Sequence, residues 1–156
     1  MKTAFAAVAL VLFATLAGAQ TIAARDGWVT LDTDKPYVSL VADVIAATKA
    51  TGMGVVTQAG PTKAAKSRGI VIPGNRVIGI FNNDSAVRVL ATSTAAMIEA
   101  PIRMYVTENP DGTATLSYKT PSHVFAPYLD EGGAVLADLA TTLDAKFTAI
   151  ADMAVK

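Results

Sequence analysis

The sequence predicts an α+β fold, one antiparallel sheet with two long helices packed on one face, and three observations predict it. Residues 102–118 alternate apolar and polar side chains on both sides of Asn109-Pro110-Asp111-Gly112, the pattern of a β-hairpin around a strong turn. Two segments, beginning near Tyr37 and near Leu136, carry apolar residues at 3.6-residue spacing. Three further short runs, 28–33, 54–58 and 76–81, read as strands, so strands cluster rather than alternate strictly with long helices.

Each element follows from its residues. In 28–33, Val29, Leu31 and Thr33 alternate with Trp28, Thr30 and Asp32, as in a strand with one face buried. Pro36 suits a first helical turn, where its missing N–H costs nothing. Beyond it Tyr37, Leu40, Val41, Val44, Ile45 and Thr48 share one helical face, and Gly52 and Gly54 can stop the helix. Residues 54–58 form the second strand, and 60–68 a short surface helix ending before Gly69. Ile70 to Gly74 leads into the strand Arg76–Phe81, which is almost wholly apolar. Asn82-Asn83-Asp84-Ser85 is a turn or N-cap cluster before a short helix over about residues 85–93. Ala95 to Ala100 leads to Pro101 and the hairpin. Thr120-Pro121-Ser122 ends the hairpin and starts a short helix through Tyr128. Gly132-Gly133 is a break. Leu136, Leu139, Leu143, Phe147 and Ile150 then mark the last helix, with Asp130 and Glu131 suiting its N-terminus and Lys156 its end.

Composition excludes several function classes. The chain has 156 residues, no cysteine, and 13 basic against 13 acidic residues. Zero net charge without a Lys/Arg run argues against a nucleic-acid binder. A hydrophobic content of 52% argues against disorder. Absence of cysteine removes disulfides, thiol nucleophiles, cysteine-held zinc or iron–sulfur centres and c-type haem. No GxGxxG, Walker A, GxSxG or HExxH word occurs. No cofactor is expected.

Residues 1–19, MKTAFAAVALVLFATLAGA, read as a Sec-type signal peptide: Lys2, an uncharged apolar stretch Ala4–Leu16, and an Ala17-Gly18-Ala19 cleavage site. The stretch is short for a span, which needs about 20 apolar residues. Cleavage after Ala19 leaves residues 20–156 as a single domain, periplasmic or secreted, with no stable membrane anchor.

Five features resemble the DUF302 family, a domain of unknown function, over about residues 36–128. They are the amphipathic helix ending in Gly52-Met53-Gly54-Val55-Val56 and the Ala/Lys-rich helix before Gly69. Next come Arg76-Val77-Ile78-Gly79-Ile80-Phe81-Asn82-Asn83, and Ala100-Pro101 before Ile102–Val106. Last is Asp111-Gly112 followed by Leu116-Ser117-Tyr118 and Pro121. The chain is identified as a divergent member. The family usually has phenylalanine-glycine-asparagine-proline where this chain has Phe81-Asn82-Asn83-Asp84, and leucine-proline in place of Ala100-Pro101. It often has an acidic residue and a histidine near Gln58 to Pro61, where this chain has neither. The resemblance implies a TBP-like fold, β-α-β4-α in outline, with homodimerisation as a further implication. It implies no reaction.

Few residues carry obvious chemistry. His123 is the sole histidine and adjoins Ser122, but sequence neighbours rarely point at each other, and a packed or surface histidine is the simpler reading. Met53, Met97, Met104 and Met153 are scattered, and Met104 and Met153 fall on apolar faces, so core packing outweighs copper binding and no metal site is expected. Asn82 and Asn83, ahead of a helix, could bind an anion or a carbonyl, or could simply cap it. Arg76 could pair with a ligand carboxylate, or be a solvated edge charge. Tyr118, with Tyr105 and Trp28, could line a groove, or be core. No catalytic residue is assigned. Arg76, Asn82, Asn83, Tyr118 and His123 are the ligand-binding candidates. Scarce catalytic groups beside abundant apolar residues favour a non-catalytic domain binding a small organic ligand in an apolar groove between sheet and helices. A homodimeric interaction protein is the alternative, and a hydrolase using His123 ranks third.

Overall fold

The computed structural model describes residues 22–156. The expected signal peptide, residues 1–19, lies outside them. In chain order the elements are β1 (Trp28–Pro36), α1 (Tyr37–Ala50), β2 (Gly54–Ala59), α2 (Thr62–Lys66), β3 (Asn75–Phe81) and α3 (Asn83–Thr92). β4 (Ile102–Glu108), β5 (Thr113–Lys119), α4 (Pro121–Phe125) and α5 (Leu129–Ala154) follow, with 3-10 turns at Ala96–Glu99 and Ala126–Tyr128. The five strands form one sheet, ordered β1-β5-β4-β3-β2 and antiparallel throughout. This is the expected α+β architecture, with the short helices as insertions in a β-α-β4-α outline.

Period-2 alternation decides which side of the sheet is covered. Leu31 opposes Leu116, Val106 opposes Leu116 on the other side, and Ile78 opposes Met104, so these residues share one face. That face is the core. Leu116, Met104, Val106 and Ile78 are fully buried, as are Leu40 and Val44 of α1 and Leu136, Phe147 and Ile150 of α5. α1 and α5 also pack on each other. Each fully buried Leu, Ile or Phe contributes roughly 1.5–3 kcal/mol by leaving water, so the apolar stripes read from the sequence are the main stabilising feature. Trp28, Thr30, Arg103, Tyr105, Ser117 and Lys119 alternate with core residues and point to the opposite face, which Val124 of α4 and Glu99 border.

Several boundaries differ from expectation for local reasons. β1 runs on to Pro36, because Thr33 and Pro36 still pair with Ala114 and Thr113 across an irregularity. Pro36 is therefore the extended N-cap of α1 rather than a first-turn residue. α3 begins at Asn83 rather than near Ser85, because Asn82 Oδ1 accepts from Ser85 N at 2.9 Å. α2 is confined to five residues. The break at Gly132-Gly133 is present: Gly133 has φ +56° and ψ −151°, a conformation open to glycine, and the long buried helix runs from there. Met153, expected on the apolar face, is 48% exposed. The hairpin is closed by Gly112 at φ +85°, with Thr113 N donating to Asp111 Oδ1 at 2.9 Å. Hydrogen bonds from the Thr113 side chain and backbone hold the Asp111 carboxyl below its usual range.

Candidate functional site

The five sequence candidates do not converge. Asn82 is the N-cap of α3, and its Nδ2 donates to Gly52 O at 3.4 Å. Asn83 is exposed on the first turn of that helix. Tyr118 is 3% exposed and packs on Phe147 with ring centroids 5.7 Å apart, so its ring belongs to the core. Burial pushes its phenol above its ordinary range. His123 lies exposed in α4 with its ring against Gly27, where a Cβ would come within 2.1 Å of it. Its neighbour Ser122 is committed elsewhere: the Ser122 hydroxyl donates to Asp144, and Ser122 N donates to Asp144 Oδ1 at 2.9 Å. Arg76 is half-buried on the core side of β3, opposite Val106, with Nε buried and unpartnered.

The space between sheet and helices is nearly filled. The gap beside Asn82, lined by Met53, Ile80, Val89, Phe125 and Phe147, holds about 30 Å³, the room of a water molecule or two. Asn82 works there as a cap. Replacing it with Ala should cost about 1 kcal/mol. A urea midpoint lowered to match, with Trp28 fluorescence unchanged, would check this.

A larger hollow lies on the opposite face. About 350 Å³ is enclosed among Trp28, Val77, Glu99, Arg103, Tyr105, Ser117, Lys119 and Val124. That is within the size range of small-molecule sites. A shallower depression continues past Tyr105 and Val77 to Asn75 and Ala59-Gly60-Pro61.

Strand register builds this cleft. Thr30 opposes Ser117, Ser117 opposes Tyr105, and Tyr105 opposes Val77, giving one row across four strands. Trp28, Lys119 and Arg103 form the next row. Lys119 Nζ lies 5.7 Å and the Arg25 guanidinium 5.5 Å from the Trp28 ring centroid, both at cation–π distance. Glu99 stands at the rim, its Oε1 accepting from Tyr128 Oη at 2.8 Å. That bond raises the Tyr128 phenol above its ordinary range.

The two ends of this face differ in hydrogen bonding. Toward the hairpin turn, Thr115 Oγ1 donates to Asp32 Oδ1 at 2.7 Å, and Asn109 Nδ2 donates to Thr113 Oγ1 at 2.9 Å. Toward Trp28, the hydroxyls of Ser117 and Thr30 are buried and unpartnered. Buried polar groups are nearly always paired, so adjacent orphan hydroxyls beside a hollow mark a place where something polar can bind.

The family model of the domain of unknown function DUF302 matches residues 29–154. The chain belongs to the DUF302 family. This DUF302 domain is similar in fold to the crystal structure of an uncharacterized conserved DUF302 protein from Bacillus stearothermophilus. The two share 18% identity and a TM-score of 0.72, over 85% of this chain and 100% of that one. No curated protein matches the chain. The cleft of this DUF302 domain falls almost wholly within the matched span, Trp28 standing one residue before it.

Sequence reasoning had named Trp28, Tyr105 and Tyr118 as groove aromatics. All three border the cleft, Tyr118 with its ring turned into the core against Phe147. Arg103, Ser117 and Lys119 were missed. Hairpin alternation already put Arg103 and Tyr105 on one side and Ser117 on the same side of the facing strand. The missing signal was the β1–β5 pairing, which brings Trp28 beside them across some ninety positions.

Proposed function

We propose that this domain is exported and acts as a non-catalytic binding protein for a small organic ligand, held in the open-face cleft. The observation that carries the reading is the buried, unpartnered Ser117 hydroxyl at the base of a 350 Å³ cleft walled by Trp28 and Tyr105. Two rigid aromatics, a few convergent polar groups and a concave site are the usual makings of a ligand pocket. The hydroxyl of Ser122, the neighbour of His123 in sequence, donates to Asp144 instead, which weighs against a hydrolase. Among the described residues, no group of three or more His, Asp or Glu side chains is placed to hold a metal ion.

Homodimerisation is the second reading, and one observation favours it. β2 is an edge strand whose residues 54–59 carry no charge and expose Val56, a template for pairing with another chain.

Native mass spectrometry of the protein from its own periplasm or medium, followed by crystallographic screening with neutral and charged aromatic fragments, tests both. Fragments seated between Trp28 and Tyr105 support the binding reading, as does a co-purified mass. Fragments that seat only elsewhere, or a dimer that closes the open face, overturn it. Cleavage after Ala19 is read from the same spectrum.

A further inference from the structure

The cleft's chemistry narrows its ligand, given the binding reading above. Arg103 and Lys119 flank the Met104–Tyr118 pair, one on each strand, and alternation turns both to the open face. They form a like-charge pair across adjacent strands, an arrangement that destabilises a sheet. Neither is within ion-pair distance of a carboxylate: the single ion pair among the described residues is Lys35 with Asp43, at 2.6 Å. Arg25 adds a third cation against Trp28. The nearest acid in the cleft is Glu99, engaged with Tyr128. Among the lining residues two cations, Arg103 and Lys119, thus face one acid, Glu99, and the repulsion between the cations falls when an anion sits there.

Beside these charges stand aromatic side chains and a polar group. Trp28 and Tyr105 line the cleft with aromatic rings, Val77 and Val124 add apolar surface, and Ser117 supplies a buried hydroxyl without a partner. Thr30, opposite Ser117 in register, supplies a second.

We infer that the cleft takes a small aromatic carboxylate. Its carboxylate meets the Arg103 guanidinium and Lys119 ammonium, its ring lies between Trp28 and Tyr105, and a ring substituent bonds the Ser117 hydroxyl. Arg suits this role because its planar fork can bind both carboxylate oxygens.

Trp28 is the sole tryptophan of the chain, so its emission reports the cleft directly. The full mature chain would be titrated with benzoate, 4-hydroxybenzoate and phenylacetate, and with the matched neutral amides. Saturable change in Trp28 emission is expected with at least one acid, its amide binding about tenfold or more weakly, as for loss of a charge-assisted hydrogen bond. Arg103→Gln should bring acid and amide to equal affinity. Arg103 is exposed, so the variant keeps its fold, and an unchanged circular dichroism melt verifies this. Acid and amide binding equally in the parent protein would overturn the carboxylate class while leaving the cleft as a binding site. No emission change with any acid or amide at millimolar concentration would overturn the class. Empty clefts in the fragment screen would then overturn the binding reading as well.

Discussion

Phe147→Ala lowers the melting midpoint of the domain by about 10–20 °C. Phe147 is fully buried on α5, stacked at a 50° tilt on Tyr118 of β5, and it touches the gap behind α3. Truncating a buried Phe costs about 3–5 kcal/mol, transfer loss and residual cavity together. Whole domains have only about 5–15 kcal/mol to lose, and each kcal/mol moves the midpoint of a chain this size by a few degrees. Because the neighbouring gap holds only about 30 Å³, the new space adds to an existing void rather than being refilled by a mobile side chain. Differential scanning calorimetry checks the midpoint. A shift under 5 °C would show that α5 repacks over the sheet far more freely than this core implies. Phe147→Leu should fall in between, since it restores part of the volume.

Gly79→Val produces the second large loss, through crowding rather than cavity. A Cβ at residue 79 would lie 2.1 Å from Thr57 Oγ1 and 2.8 Å from the Pro101 ring. Thr57 opposes Gly79 at the irregularity in β2–β3 pairing, so the absent side chain is what lets the bulged strand close onto its partner. Overpacking of this kind costs about 1–3 kcal/mol, occasionally more. The Thr57 hydroxyl can rotate aside, whereas the Pro101 ring cannot. Thr57→Ala should therefore recover only part of the loss, with a coupling of about 0.5–3 kcal/mol in a double-mutant cycle. Urea midpoints of the four proteins measure it. Strict additivity would mean that the Pro101 contact alone sets the cost. Gly79 is among the residues of the Arg76–Phe81 motif by which the chain resembles its family, and this contact gives that glycine a physical reason.

How far the sequence reached depended on the range of each signal. The hairpin and the two long helices were legible, because Ile102, Met104 and Val106 alternate locally and Leu136 to Ile150 repeat locally. The Asn82 cap was legible for the same reason: a capping side chain bonds a backbone N–H three residues on. Boundaries that depend on distant partners were not. β1 extends to Pro36 only because β5 offers Thr113 to pair with. The candidate groove was placed between sheet and helices, because apolar abundance marks a core without saying how completely it fills. Tyr118 and Trp28 look alike in sequence as strand aromatics. Their opposite fates follow from odd and even positions in strands whose pairing lies far apart along the chain. Ser117 belongs to the family word Leu116-Ser117-Tyr118 but carries no chemical motif. It stands out only once its hydroxyl is seen buried without a partner.

The pairing of the first strand with the fifth has a consequence in time. Trp28 meets Lys119 only after more than three quarters of the chain has been made. Until then β1 has no neighbour in the sheet, since β5 is its sole partner there. The hairpin and α1 can form as they emerge, but joining distant segments must wait on closure of a long loop, which slows folding. A growing chain thus carries an unmated N-terminal strand throughout most of its synthesis. Trp28, at one wall of the open-face hollow, belongs to that strand. The hollow therefore takes shape late in synthesis, and a truncated product that has lost β5 leaves Trp28, the single tryptophan, without its strand partner Lys119.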